Sequence, residues 1–241
     1  MANAMVTGAA GAIGRAVVET LRAGGYRVIG TDVSATREDD HRLLDVTDES
    51  AVEATVSSIE EQVGPIELLV NGAGVLSHRP TLELSASEWQ RTFAVNTTGV
   101  FLVSTAVARR MLPRGHGSIV TIASNAGRLP RHSMAAYGAS KAAAALFTQS
   151  LGLELGAHGI RCNVVSPGTT RSDMTAGILA DAAGEQRILD GDPTTFKAGI
   201  PLGRVADPAD IAAAVAWLAS DGARHVTMQD LVVDGGASQE R

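Results

Sequence analysis

Cysteine is nearly absent: Cys162 is alone among 241 residues. That excludes an internal disulfide and a thiolate metal cluster, and no metal site is expected. The residue sits in an apolar run, GIRCNVVSP, where a buried structural thiol in a reducing compartment is expected. Aromatic residues are scarce, at 3%, so the core must be aliphatic and alanine-rich. Positive charge is not in excess. The net charge is −6, and no broad basic face supports nucleic-acid binding. No apolar run reaches the roughly 18 residues of a membrane span. The opening MANAMVTGAAG enters a glycine loop at once and leaves no room for a secretion signal. A cytoplasmic protein without membrane or nucleic-acid partners is therefore expected.

Glycine, by contrast, is plentiful, and its 26 copies cluster at turns rather than forming a low-complexity tract. Between these turns, apolar runs alternate with helical segments. NAMVTG, YRVIGTD, a weaker RLLDVTD, IELLVNGAG, GSIVTIAS, GIRCNVVSPG and DLVVDGG read as strands. The spacing predicts helices over 11–25, 48–63, 86–112, 134–157 and 207–220, the third ending at Pro113. Continuous apolar strands alternating with helices imply an α/β fold. The expected architecture is one Rossmann-type, doubly wound parallel sheet of about seven strands. Helices cover both faces, and a single domain spans residues 1–241. Residues 172–200 fit the alternation poorly. They read either as a mobile lid over a ligand site or as an irregular surface loop.

The first strand leads into Thr7-Gly8-Ala9-Ala10-Gly11-Ala12-Ile13-Gly14, and a helix follows. Gly8 permits a tight turn, small residues let backbone approach a pyrophosphate, and Gly14 allows close helix packing. The helix N-terminus then offers free N–H groups to phosphates. Asp32 ends the second strand, 18 residues after Gly14. A carboxylate there accepts hydrogen bonds from the ribose hydroxyls and repels a 2′-phosphate, which favours NAD over NADP. A turn-forming aspartate is the alternative.

Tyr137 and Lys141 stand four residues apart at a helix start, so their side chains share a face. A nearby ammonium is expected to lower the tyrosine pKa toward neutrality. Ser124 ends the preceding strand and can hold the reacting oxygen while Tyr137 takes its proton. Alone, such a pair would read as an exposed helix face; after a dinucleotide loop it reads as a catalytic set.

At this point the sequence resembles the short-chain dehydrogenase/reductase family, over essentially its whole length. The resemblance implies that Gly8, Ala10, Gly11, Ala12, Ile13 and Gly14 form the cofactor loop. It implies that Asp45 and Val46 contact adenine, and that Asn71, Gly72 and Ala73, in the motif Asn71-Gly72-Ala73-Gly74 after the fourth strand, bind the cofactor. Asn96 falls at the fourth catalytic position and would help hold a proton-relaying water. Tyr137 and Lys141 also contact the cofactor. Pro167, Gly168 and Thr170 lie beside the nicotinamide, with Ser172 where a carboxamide-binding Thr is usual. Ala12 replaces the middle glycine and Gly72 the second Asn, changes that touch cofactor affinity rather than the reacting groups. The family implies a homotetramer, and the alanine-rich helices at 86–112 and 134–157 would supply its contacts.

Within the family, TFAVN, PRHSMAAYGASK, RCNVVSPGTT, FKAGIPLGR and DLVVDGG resemble members that oxidise a dihydro-dihydroxybenzoate, a cyclohexadiene carboxylate, to an aromatic acid for siderophores and related metabolites. The substrate would then be a small cyclic anion. Arg131, matching those members' Arg six residues before the tyrosine, would bind its carboxylate. Leu76, His78, Ser124 and Tyr137 would complete the substrate site. Arg79 and Arg128 read equally as ligands or as solvated loop charges. Three other readings remain: an amine in place of one ring hydroxyl, as in a dihydro-hydroxyanthranilate; reduction of 3-oxoacyl thioesters on a carrier protein; and a nucleotide-binding protein without catalysis.

Overall fold

A strand that is apolar on both sides is stable only when both sides are covered. In β1 (Asn3–Thr7), Ala4 and Val6 face one hydrophobic core and Met5 faces another. β4 (Ile66–Asn71) repeats this, with Leu68 and Val70 on one side and Ile66 and Leu69 on the other. A computed structural model of the chain, describing residues 1–35, 40–177, 179 and 181–239, shows the sheet that results. Seven parallel strands run in the order β3-β2-β1-β4-β5-β6-β9. The others are β2 (Arg27–Asp32), β3 (His41–Leu43), β5 (Gly117–Ile122), β6 (Ile160–Pro167) and β9 (Asp230–Val233). Helices α1 (Ala12–Ala23) and α7 (Pro208–Ala219) cover one face. The other is covered by α2 (Glu49–Gln62), α4 (Gly99–Met111) and part of α5 (Ala135–Leu155). The largest fully buried side chains are all Met, Leu or Ile, as the scarcity of aromatics requires. Among the described residues, no helix is long and apolar enough to cross a membrane.

After β1 the chain winds outward through β2 and β3, then crosses back to place β4 on β1's other side. Such a switch point opens a crevice at the carboxyl ends of the strands.

Three local differences from the sequence expectation have physical causes. The long helix expected over 86–112 is broken into α3 (Ala86–Phe93), a π turn (Ala94–Thr98) and α4. A π turn inserts one extra residue, and such turns recur at functional sites; here it carries the fully buried Asn96. The third strand stops at Leu43 because the aspartates beyond it serve turns. Asp45 accepts from Thr47 N at 2.9 Å, and Asp48 caps α2 through Ala51 N at 3.0 Å. Finally, residues 172–200 contain α6 (Ala182–Asp190), capped by Asp181, and a small hairpin of β7 (Gly191–Asp192) and β8 (Lys197–Ala198).

Candidate active site

The crevice begins at the loop after β1. Gly8 has φ +68°, and a Cβ there would lie 2.6 Å from the backbone of Gly72 and Ala73. Gly14 is tighter still, since its Cβ would meet the Gly8 carbonyl oxygen at 2.0 Å. Thr7 Oγ1 ties the two loops together by accepting from Gly72 N at 3.1 Å and Ala73 N at 3.2 Å. Gly72, the departure from the family motif, is explained by the same packing: a Cβ would come within 2.7 Å of the Thr7 carbonyl oxygen. Gly11 caps α1 without a side chain, so Ala12 and Ile13 open the helix with N–H groups suited to an anion. This cradle fits a pyrophosphate.

Asp32 is fixed beside it. Its carboxylate accepts from Ala10 N and Ser34 N, each at 3.0 Å. Each oxygen keeps a further lone pair for a ribose hydroxyl. Asp45 is exposed, and Val46 is buried against Gly99. The Asn71 side chain turns away from the cradle. Its amide donates inward to Ser104 Oγ at 2.8 Å and Thr121 Oγ1 at 3.2 Å, so the side chain serves the scaffold.

Beyond the cradle lies a cleft of about 550 Å³. Ser124, Tyr137, Lys141, Arg131, Leu76 and His78 all border it, together with Pro167, Gly168, Thr170 and Ser172. Ser124 follows β5 in extended conformation and accepts from Ala126 N at 3.1 Å. It is hydrogen-bonded to Tyr137, near the start of α5. One turn later, the buried Lys141 donates to the Ile122 carbonyl at 2.9 Å. Gly74 makes room for it, since a Cβ there would lie 3.2 Å from Lys141 Nζ.

The acid–base balance differs from the sequence expectation. Lys141 Nζ lies 6.0 Å from the Tyr137 ring centroid. Burial is the dominant influence on both groups. It brings Lys141 down to about 8 and pushes the Tyr137 phenol up, with only the Ser124 hydrogen bond pulling Tyr137 the other way. A lowered Tyr137 pKa therefore needs positive charge beyond what Lys141 supplies at this distance.

The Asn96 side chain is committed to the scaffold. Its amide accepts from Val75 N at 2.8 Å and donates to Val75 O at 2.9 Å and Ser140 Oγ at 3.0 Å. Both amide hydrogens are spent holding the loop after β4 against α5, so a water relay does not draw on them.

The basic candidates separate by partner. Arg79 pairs with Glu88 at 3.0 Å, and Arg128 with Asp230 at 2.8 Å. Arg131 is half-buried in the cleft wall. Burial pulls its pKa down and Asp234 acts the other way, yet no carboxylate among the described residues forms an ion pair with it. Sequence reasoning read residues 172–200 as a lid or a loop without assigning site residues there; Met174, Arg187, Ile188 and Lys197 from this span, and Ala237 from the C-terminal turn, line the cleft. Of these, only Lys197 lies in a stretch the resemblance picked out, FKAGIPLGR.

The family model described as enoyl-(acyl carrier protein) reductase matches residues 8–238. The 2,3-dihydro-2,3-dihydroxybenzoate dehydrogenases of Bacillus subtilis and Escherichia coli are 47% and 43% identical to the chain. Each match covers 98% of the chain, and 95% and 96% of the respective relatives. The 3-oxoacyl-acyl-carrier-protein reductase of Escherichia coli is 37% identical, covering 97% of the chain and 96% of the relative. Among solved structures, a gluconate 5-dehydrogenase from Burkholderia cenocepacia in complex with NADP and tartrate has a TM-score of 0.90. It is 28% identical, covering 100% of this chain and 96% of that one. The likeness runs from the glycine cradle to the C-terminal turn, and on it the chain belongs to the short-chain dehydrogenase/reductase family, whose members bind nicotinamide cofactors.

Proposed function

We propose that the protein is an NAD-dependent dehydrogenase that oxidises the C3 alcohol of 2,3-dihydro-2,3-dihydroxybenzoate, or a close cyclohexadiene carboxylate, to the aromatic acid. The observation that carries this reading is Arg131, a half-buried cation without an ion-paired acid, in the same cleft as Ser124 and Tyr137. A guanidinium so placed suits a carboxylate, which it can grip with two parallel hydrogen bonds.

In this reading the cradle of Gly8, Ala10, Gly11, Ala12, Ile13 and Gly14 holds the pyrophosphate. Asp32 receives the adenosine ribose and disfavours a 2′-phosphate. When bound, the oxidised nicotinamide supplies a hydride acceptor and the positive charge that the phenol lacks. Arg131 orients the substrate carboxylate, and Leu76 and His78 border the ring. Ser124 donates to the C3 oxygen, and Tyr137 removes the C3 hydroxyl proton. Lys141 holds its ammonium between Ile122 O and the phenol. C3 loses a hydride and its hydroxyl a proton, and the resulting ketone tautomerises to the aromatic ring, which makes the oxidation favourable. Exposed Phe101, Leu146 and Leu153 on α4 and α5 support assembly into a homotetramer. The single buried thiol and acidic balance suit the cytoplasm.

Turnover of the dihydroxy acid with NAD⁺ and with NADP⁺ tests the proposal. Tyr137→Phe should lower kcat by about 10²- to 10⁴-fold while NAD⁺ still binds. Faster reduction of an acetoacetyl thioester by NADPH than oxidation of the acid would refute the assignment in favour of the carrier-protein reaction.

A further inference from the structure

The chain has only two lysines, against 18 arginines. One is Lys141. The other, Lys197, stands on β8 and borders the same cleft. A sequence that uses arginine for all its other side-chain cations apart from histidine thus places both its ammonium groups around one cavity.

Lys197 is half-buried, and its Nζ reaches Thr169 Oγ1 only at 3.5 Å. Among the described residues, no carboxylate forms an ion pair with Lys197 or with Arg131. Asp192 acts on Lys197 electrostatically, and Asp234 on Arg131, without direct pairing. The two cations also oppose each other: besides burial, the charge of Arg131 pushes the Lys197 pKa down. Like charges facing one partly desolvated space are unfavourable, and an anion placed between them removes that cost. The two groups are chemically complementary as well. Arg131 offers a planar fork, while Lys197 offers a mobile point charge that can reach a carboxylate oxygen from another side. They come from separate walls, Arg131 from the β5–α5 segment and Lys197 from the hairpin.

Resting on the dehydrogenase reading above, we propose that Lys197 is a second substrate-binding cation, which with Arg131 holds the ring carboxylate and restricts the cleft to acids.

The test compares wild type, Lys197→Met and Lys197→Arg on two substrates: the dihydroxy acid and the corresponding ring diol lacking the carboxylate. Lys197→Met should raise KM for the acid by about ten- to a hundredfold, with kcat changed far less. Its kcat/KM for the neutral diol should stay at the wild-type value, and Lys197→Arg should recover most of the acid affinity. An unchanged KM for NAD⁺ shows that fold and cradle are intact. Fluorescence titration with 2,3-dihydroxybenzoate makes the same comparison without turnover, and Lys197→Met should bind it at least tenfold more weakly. Equal loss on both substrates, or undiminished binding of the aromatic acid, overturns the role of Lys197. Failure of the wild type to oxidise the acid at all overturns the dehydrogenase reading itself, which separates the two failures.

Discussion

In the proposed mechanism Lys141 is required by the chemistry, while its burial burdens the fold, and the two effects can be measured apart. It is only 5% exposed, and burial brings its pKa from the ordinary 10.5 to about 8. At about 1.4 kcal/mol per pH unit, holding the proton there costs about 3 kcal/mol at neutral pH. Lys141→Met removes that cost at similar volume, but it also removes the hydrogen bond to Ile122 O, worth about 1 kcal/mol. The variant should therefore be more stable than wild type by about 2 kcal/mol at pH 7. For a chain of this length that is a rise of about 4–8 °C in melting temperature. The pH dependence has a definite sign. Between about 8 and 10.5 the unfolded chain holds the lysine proton and the folded chain does not, so wild-type stability rises with pH across that window. The advantage of Lys141→Met is then full below about pH 8, falls to zero at about pH 10, where the remaining burial cost equals the lost hydrogen bond, and reverses above that. Thermal unfolding of cofactor-free protein at pH 7 and pH 9.5 measures both points, while turnover of the variant should be lost. A variant that melts below wild type at pH 7, or a gap that does not narrow at pH 9.5, would refute the reasoning.

Asp32→Ala should narrow the preference for NAD⁺ over NADP⁺ in kcat/KM; a wild type that works better with NADP⁺ would contradict the ribose role. Gly14→Ala should weaken NAD⁺ binding severely in calorimetric titration, because its Cβ would overlap the Gly8 carbonyl, while Gly11→Ala, whose Cβ meets that oxygen at 3.4 Å, should bind nearly normally. Light scattering at micromolar concentration should give four times the 24.8 kDa chain mass, and Leu146→Asp should reduce it; a monomeric wild type would remove the assembly proposal.

The sheet was legible because its signal is local. Each strand of the sheet but the short edge strand β3 is an apolar run, and the turn residues between runs are glycine, proline and aspartate. The cradle and the Ser124, Tyr137 and Lys141 set were legible because their spacing is dictated by one strand, one turn and one helix. The π turn was not, because nothing in TFAVNTTG distinguishes it from an ordinary helix. It becomes visible only when Asn96 meets Val75 and Ser140 from other segments. The inward turn of Asn71 and the upward push on Tyr137 likewise depend on what surrounds them. Lys197 left two traces in the sequence: its place in the FKAGIPLGR stretch, and its being one of only two lysines among twenty Lys and Arg residues.

The two walls of the cleft also differ in how they are held. Ser124 stands just after β5, and Tyr137 and Lys141 on α5; these elements are continuous with the sheet and its two large cores. The wall that carries Lys197 packs on a separate cluster of four buried residues, Ile188, Ile200, Val205 and Ala237. Fully burying one such side chain is worth about 1.5–3 kcal/mol, so a handful holds this wall by far less free energy than the sheet has. A weakly held unit opens before the core does, which suits substrate entry and product release. It also separates two kinds of change. On the proposed assignment, a substitution on the β5–α5 side would disturb proton transfer and the main core together, whereas Lys197→Met on the hairpin side would alter substrate binding at little cost to the fold. The sheet side would then keep the alcohol chemistry while Lys197, from the more weakly held side, adjusts how the carboxylate is held.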